Sequence, residues 1–378
     1  MTRRPPLVPL VPLALLALVA SLASTGAVVA QQSPRVAAGA LYRGFTLDPS
    51  LAATRASLLL VPVAADFPIG GSFGLELYGA FASGSIERGA ETLELSGPVN
   101  ANARAVWSAR PWARVSLGVS IPTGDAGRDA EEAQVAAILS TDLLGFREAS
   151  FGTGTAVTTG VAFAHQVGEW AVGWGASYRL AQEFEPLADS ALAFAPGSQV
   201  VLRVAGDRNV GPGGKLTIGA SYQHFADDEF ASNLFRPGPR IRADAAYVLR
   251  TGPASAWSFF VTDIWRQQSD ATLGAGADAA DTTAAGSQNV VVAGAAGTLR
   301  AGTVHLLPRA DVRLLSREDG TASGWLASAG LGVPVRLGRI EAIPRAQVML
   351  GAIEAASGDR PGISGFEVEL TLRWGGGR

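Results

Sequence analysis

Three histidines are the first candidates for acid–base chemistry, and they fall on separate predicted strands: His165, His224 and His305. Only His224 has other reactive side chains close by in sequence, with Asp227 and Asp228 after it. Ser221 or Ser232 could supply a nucleophile for a hydrolase that acts on lipid. A lone histidine at a strand end is more often structural, so the hydrolase stays an alternative hypothesis.

Other catalytic and cofactor motifs are weak. The sequence GPGGK at 211–215 lacks the length and the following Ser or Thr of a phosphate-binding loop, and it reads as a turn. The chain has no cysteine, no nucleophile elbow and no metal-ligand spacing. We therefore predict no catalytic residues, no metal and no cofactor, and a protein that is not an enzyme.

Charged side chains form a second and larger group of candidate functional residues. They recur on one face of the predicted strands. Ten arginines lie on that face: Arg104, Arg114, Arg179, Arg203, Arg240, Arg242, Arg309, Arg313, Arg345 and Arg373. Six carboxylates share it: Glu76, Asp244, Asp311, Glu341, Glu367 and Glu369. Around a lumen, this excess of arginines would favour anions. A lattice of cross-strand salt bridges that stiffens the wall is the alternative, and it has the greater weight.

Alternation of apolar and polar residues places these side chains on β-strands. At 366–374 every second residue is apolar, and the residues between are Glu, Thr or Arg. Such runs span about ten residues, as tilted membrane strands do. The chain is 48% hydrophobic and only 17% charged, yet no apolar run after residue 30 is long enough for a membrane helix. The sequence predicts an all-β, transmembrane, antiparallel up-and-down β-barrel.

The spacing of these runs predicts about 16 strands. Fifteen are clear: near 57–66, 72–84, 98–109, 112–122, 154–167, 170–181, 198–205, 214–225, 239–250, 255–266, 288–300, 303–316, 324–337, 339–352 and 364–374. The weaker segment 36–46 makes the number even, as bacterial barrels require, and 14 remains possible. Short periplasmic turns alternate with long extracellular loops, predicted at 85–97, 123–153, 182–197, 226–238, 267–287, 317–323 and 355–363. The turn at 206–213 is predicted to be a longer one.

Tryptophans mark the predicted strand ends. Seven of the eight lie there and would form interfacial girdles: Trp107, Trp112, Trp170, Trp257, Trp265, Trp325 and Trp374. The eighth, Trp174, falls within a strand. Tryptophans in the core of a soluble sandwich would not concentrate at strand ends.

The first thirty residues read as a secretory signal peptide. Arg3 and Arg4 precede a short apolar stretch, and small residues lead to a cleavage site between Ala30 and Gln31. The domains are therefore a signal peptide at 1–30 and a barrel at 31–378, exported to the outer membrane. The near-neutral charge of −3 gives no reason to expect nucleic acid.

The longest predicted loop, 123–153, contains a segment that departs from strand alternation. Residues 130–144 read as a short amphipathic helix, with Glu131 and Glu132 early and apolar residues later. The helix could fold inward as a lid or constriction, or it could pack on the barrel rim.

The sequence SLGVSIPTGD at 116–125 resembles a strand-end motif of the Gram-negative outer-membrane transporter family associated with the phenol meta-cleavage pathway, which is akin to long-chain fatty-acid channels. Residues 143–180 are similar to the loop and hairpin that follow in that family. The resemblance covers about 65 residues and implies uptake of small, often hydrophobic or aromatic solutes. It implies only a turn for Pro122–Asp125. The residues after Trp374 depart from the usual aromatic ending.

These patterns together favour an outer-membrane channel for facilitated diffusion of small solutes, with a mildly cationic lumen. The alternatives are the lipid hydrolase and a non-conducting structural or surface-binding barrel. Expected partners are outer-membrane lipid, the solute and the barrel-assembly machinery. The sequence does not distinguish a monomer from a trimer.

Overall fold

The computed structural model describes residues 34–148, 151–231, 233–274, 280–317, 322–355 and 357–374, and in them sixteen antiparallel strands close into one barrel. The strands are β1 Arg35–Leu47, β2 Arg55–Ile69, β3 Phe73–Arg88, β4 Glu91–Arg110, β5 Ala113–Ile121, β6 Ala156–Val167, β7 Trp170–Ala181, β8 Gln199–Val210, β9 Gly214–Phe225, β10 Arg240–Gly252, β11 Ser255–Arg266, β12 Gln288–Ala301, β13 Val304–Arg317, β14 Ala322–Gly332, β15 Ile340–Ile353 and β16 Gly362–Trp374. Each strand pairs with the next, and β1 pairs with β16 to close the ring. The predicted all-β barrel of 16 strands is confirmed. The predicted signal peptide and its Ala30–Gln31 site lie outside the described residues.

The alternation along each strand separates two faces of the wall. In β16 the side chains of Phe366, Val368 and Leu370 are exposed on one face, whereas Glu367 on the other face is 3% exposed. Because successive side chains in a strand point to opposite faces, the cross-strand pairing carries this division around the whole ring. One face is a belt of large apolar side chains, and the other bears the charged residues.

The connections differ in length between the two ends of the barrel. At the short-turn end, hairpins turn over two to three residues, as at Gly168, whose φ is +60°. The predicted longer turn at 206–213 is also short, because β8 continues to Val210 and turns at Gly211 with φ +65°. The connection between β14 and β15 is longer and spans 333–339. The long-loop end carries the connections that follow β1, β5, β7, β9, β11, β13 and β15.

One predicted long loop is instead a tall hairpin. β3 extends to Arg88 and β4 starts at Glu91, so the interval 85–97 is strand except for the turn at Gly89. Leu93 and Leu95 are buried, which supplies the packing that keeps the hairpin extended.

Parts of three other loops form a second sheet of five short strands, where the sequence predicted only irregular chain. Its strands are Phe194–Ala195, Asp228–Phe230, Asn233–Arg236, Ser269–Leu273 and Ala280–Ala285. A further short strand, Val335–Leu337, pairs with the start of β15. The predicted helix is shorter than 130–144 and forms α1, Ala130–Leu139. No helix in the described part of the chain is long and apolar enough to cross a membrane.

Candidate functional site

The connection between β5 and β6 is the main feature inside the wall, and we call its residues 122–148 and 151–155 the inserted segment. Helix α1 begins where Asp129 caps it, since the Asp129 carboxylate accepts hydrogen bonds from the backbone N–H groups of Glu131 and Glu132 at 2.9 and 2.8 Å. The Glu132 side chain accepts from the Asp129 N–H at 3.1 Å, which completes a capping box. These bonds fix the start of a helix too short to be stable alone.

Helix α1 packs on the charged face of the wall, over β2, β3 and β4. Val135 and Leu139 are fully buried there, in one cluster with residues of these strands: Ala56, Leu58, Leu60, Ala82, Ile86, Leu93 and Leu95. Gly84 makes the close approach possible, because a Cβ at that position would lie 2.5 Å from Leu139 Cδ1. The face of the wall opposite the apolar belt thus carries an apolar patch of its own, and helix α1 packs on this patch.

Residues 140–148 reach the other side of the ring. Arg313 of β13 donates to the carbonyl oxygens of Asp142 and Leu143 at 2.9 and 2.8 Å. Arg266 of β11 pairs with the Asp142 carboxylate at 2.7 Å, and Arg147 pairs with Glu369 of β16 at 3.0 Å. A segment bound to β2–β4 and also to β11, β13 and β16 must lie inside the barrel. This identifies the charged face as the lumen.

Arg43 of β1 makes the most buried of these contacts. It is 8% exposed, donates to the carbonyls of Leu144 and Gly145, and pairs with Glu367, which is 3% exposed. The Arg43 Nε to Glu367 Oε2 distance is 2.7 Å. Sequence reasoning missed Arg43, because β1 was its weakest strand and the partner lies 324 residues away.

A bulge in β4 holds both ends of the inserted segment. The pairing with β3 shifts between Tyr78 and Ala80, which leaves one extra residue on β4 beside Asn100. Asn100 Nδ2 donates to the Thr153 carbonyl at 3.0 Å and to its hydroxyl at 2.9 Å, and Asn100 Oδ1 accepts from Gly124 N–H at 3.3 Å. The Pro122–Asp125 motif therefore marks the point where the chain leaves the wall. Gly124 is required by close packing, since a Cβ there would meet the Phe151 carbonyl.

Replacement of Asn100 by Ala is expected to release this clamp. Three hydrogen bonds are lost, and the partly buried Thr153 carbonyl and Gly124 N–H lose their partner, so the free energy of unfolding should fall by about 1–3 kcal/mol. Limited proteolysis should then cut the inserted segment faster than in the wild type. Asn209→Ala, at an exposed site on β8, is the control and should change stability by less than about 0.5 kcal/mol. Equal cleavage rates in both variants would contradict the clamp.

The structure places all ten predicted arginines and all six predicted carboxylates on the lumen face. Five arginines pair with these carboxylates: Arg104–Glu76 at 2.9 Å, Arg242–Asp244 at 2.8 Å, Arg309–Asp311 at 2.9 Å, Arg345–Glu369 at 3.6 Å and Arg373–Glu341 at 3.8 Å. Arg313 binds the inserted segment instead. Three of these pairs join neighbouring strands, as in the predicted lattice, whereas Arg242–Asp244 and Arg309–Asp311 each lie within one strand.

The other four arginines, Arg114, Arg179, Arg203 and Arg240, have no carboxylate in ion-pair range among the described residues. They lie on β5, β7, β8 and β10, in one half of the wall. Around them the lumen face of β5–β9 carries small or hydroxyl side chains: Ser116, Gly118, Ser120, Thr158, Gly160, Gly173, Gly175, Ser177, Thr217, Gly219 and Ser221. This half of the lumen wall therefore bears unpaired arginines among small side chains.

A cavity of about 1340 Å³ opens at the short-turn end of the lumen. Its lining includes the Arg104–Glu76 and Arg373–Glu341 pairs, together with Tyr78. At its rim, Arg336 and Arg339 add positive charge. The lumen is thus hollow at its short-turn end, next to β1–β4, β15 and β16.

The tryptophans lie on the outer face. Trp107, Trp112 and Trp374 are exposed near the short-turn end, and Trp265 and Trp325 are exposed near the long-loop end. Trp170 and Trp257 also lie at the short-turn end, half-buried. Trp174 stacks on Phe163 with a ring-centroid distance of 4.4 Å.

The residues of the hydrolase hypothesis are not brought together. Ser221 and His224 lie on opposite faces of β9, and Ser232 lies outside the described residues. Asp227 is held by Arg236 at 2.9 and 3.1 Å, and these hydrogen bonds lower the pKa of the Asp227 carboxyl. Burial raises the pKa of Asp228, which accepts a hydrogen bond from Gly197 N–H at 2.6 Å. Within the described ranges, no three His, Cys, Asp or Glu side chains are grouped as metal ligands.

No protein-family model and no curated protein sequence matches the chain. Solved structures with a similar fold do exist. A loop-deletion mutant of OmpT, an outer membrane protein of Vibrio cholerae, is 11% identical over 90% of this chain and 99% of that chain, with a TM-score of 0.42. The COG4313 outer membrane channel from Pseudomonas putida F1 is 12% identical over 93% and 97%, with a TM-score of 0.36.

An anion-selective porin from Comamonas acidovorans is 11% identical over 90% of this chain and 98% of its own, with a TM-score of 0.40. These similar structures are outer-membrane β-barrels, including channels and porins. Sequence identities of 11–12% and TM-scores below 0.5 do not define a family. The all-β barrel fold of this chain rests on its own closed ring of paired strands.

Proposed function

We propose that the protein is an outer-membrane channel that passes small polar solutes by facilitated diffusion and favours anions. The observation that carries the proposal is the group of unpaired arginines, Arg114, Arg179, Arg203 and Arg240, over small residues in one half of the lumen. Positive side chains without counter-charges attract anions, and a ring of sixteen strands is wide enough to hold a passage. The channel needs no cofactor and no catalytic residue.

The apolar outer face supports a place in the membrane. Large side chains such as Leu117, Val348 and Leu350 are more than half exposed around the ring. Such a belt is far larger than a water-soluble protein tolerates, whereas lipid would cover it. The tryptophans at both ends would then sit at the two interfaces, with the short turns in the periplasm. A signal peptide cleaved after Ala30 and insertion by the barrel-assembly machinery complete this proposal.

The solute class differs from the one that the phenol meta-cleavage resemblance implies. Hydrophobic or aromatic solutes would need an apolar track. On the described lumen face of β5–β9, Val201 is the largest apolar side chain apart from Phe225 at the rim. The lumen chemistry favours polar anions.

Planar-bilayer recording of the chain from Gln31 onward tests the proposal. We expect steady conductance steps and a reversal potential that shows anion preference. In the triple variant Arg114→Gln/Arg179→Gln/Arg203→Gln this preference should fall strongly, because three uncompensated charges leave the passage. Arg55→Gln is the control, since Arg55 is on the outer face and pairs with Glu87.

Two results would contradict the proposal. An unchanged reversal potential in the triple variant would remove the role of the arginines. No conductance from a correctly folded barrel would instead favour a non-conducting structural barrel.

A further inference from the structure

One row of polar side chains crosses the lumen wall just inside the long-loop end. Arg179 of β7 lies directly opposite Gln199 of β8, and Gln223 of β9 lies opposite Arg240 of β10. The two glutamines join these pairs, since Gln223 Nε2 donates to Gln199 Oε1 at 3.4 Å. The row therefore runs guanidinium, amide, amide, guanidinium over four adjacent strands.

The row is open to solvent in the lumen. All four side chains are only half-buried. In the part of the chain that the structure describes, neither arginine has a carboxylate partner, and the Arg240 guanidinium lies 5.2 Å from the Phe225 ring centroid. Both guanidinium groups thus keep hydrogen-bond donors available.

The spacing of the row selects for an extended ligand. Gln223 is offset by two residues from the position opposite Gln199, which adds roughly 6.6 Å along the strands to three strand spacings of roughly 4.8 Å. The backbones of Arg179 and Arg240 are therefore about 16 Å apart. Arginine binds carboxylates with paired N–H donors, and the amides between can both donate and accept. A matching ligand has acid groups toward its ends and hydroxyl groups between them.

We propose that this row is a binding site for a short linear acidic oligosaccharide, which it would receive at the mouth of the channel. The proposal rests on the channel function and names the substrate class of that lumen. Hydroxyl groups of the sugar pair with Gln199 and Gln223, and its carboxylates pair with Arg179 and Arg240. Ser177 and Ser221, on the same face just below, continue a polar path into the barrel.

Isothermal titration calorimetry on the folded barrel in detergent tests binding without requiring conductance. The probes are linear trigalacturonate, neutral maltotriose and succinate. We expect trigalacturonate to bind, and maltotriose and succinate to bind about tenfold more weakly or not at all. Arg179→Gln/Arg240→Gln should weaken trigalacturonate binding at least about tenfold, because two charge-assisted contacts are lost.

Arg250→Gln is the matched control, since Arg250 lies at the opposite end of the same strand as Arg240. The affinity of the Arg250→Gln variant for trigalacturonate should equal that of the wild type. No binding of trigalacturonate, equal binding of succinate, or equal loss in the control would each overturn the site. Bilayer recording separates the two proposals: conductance without trigalacturonate binding refutes only the site, and binding without conductance refutes only the channel.

Discussion

Arg43→Met is expected to lower the free energy of unfolding by about 3–5 kcal/mol, among the largest effects of any single change in the barrel. The substitution keeps the bulk of the side chain but leaves the Glu367 carboxylate buried without its main partner. It also removes the donors to the Leu144 and Gly145 carbonyls. Urea titration of the protein folded in lipid vesicles, followed by tryptophan fluorescence, measures the change.

The double variant Arg43→Met/Glu367→Met separates the pair from its surroundings. When both charges are replaced by apolar groups of similar size, most of the lost stability should return. Arg55→Met is the control, because its pair with Glu87 is exposed and should contribute less than about 1 kcal/mol. A loss below about 1 kcal/mol in Arg43→Met would show that the buried pair does not hold the inserted segment.

Leu139→Asp should have the second large effect, a severalfold rise in single-channel conductance. Leu139 is 1% exposed and packs against the wall at Gly84. A carboxylate there costs several kcal/mol when buried, so helix α1 should leave the apolar patch. The strand pairing of the ring does not depend on this contact, and the barrel should stay closed.

Leu139→Met is the matched control for that experiment. It conserves the volume of the side chain, so its conductance should equal that of the wild type. Faster proteolysis of the inserted segment in Leu139→Asp should accompany the rise in conductance. If Leu139→Asp conducts like Leu139→Met, the inserted segment is not the constriction of the lumen.

The sixteen strands were predictable because the pattern that defines them is local. In β9 and β16, apolar and polar residues alternate over the whole length of the strand, as is typical of strands in a membrane barrel. For residues 85–97 the prediction of a loop was wrong. Their polar content resembles a loop, and the hairpin there depends on contacts of Leu93 and Leu95 with residues of α1 and its neighbours.

The position of helix α1 could not be predicted from its own residues. Packing inside the wall or on its rim would bury the same side chains, Val135 and Leu139. A signal does exist in β2, whose sequence is apolar on both faces, as expected of a strand covered on both sides. Leu58 and Leu60 on its lumen face make the patch that receives the helix.

The lumen charges were predictable as a set, but the pairs between strands were not. Strand parity alone places Arg242 and Arg203 on the same face. Arg242 has Asp244 two residues away on its own strand as partner, whereas only the three-dimensional register shows that Arg203 lies between Gly175 and Ser221. The contacts of Arg43 and Arg266 with the inserted segment, and the pair between Arg147 of that segment and Glu369, join distant parts of the chain and leave no local pattern.

The Arg43–Glu367 pair has a consequence for assembly, because it joins the first strand of the barrel to the last. Its two halves are 324 residues apart, and they meet only when β1 and β16 form their seam. Arg147 of the inserted segment contacts β16 at the same seam, while Leu144 and Gly145 contact β1. A barrel with an open seam therefore lacks part of the surface that receives the segment. We expect closure of the wall and packing of the segment to stabilise each other.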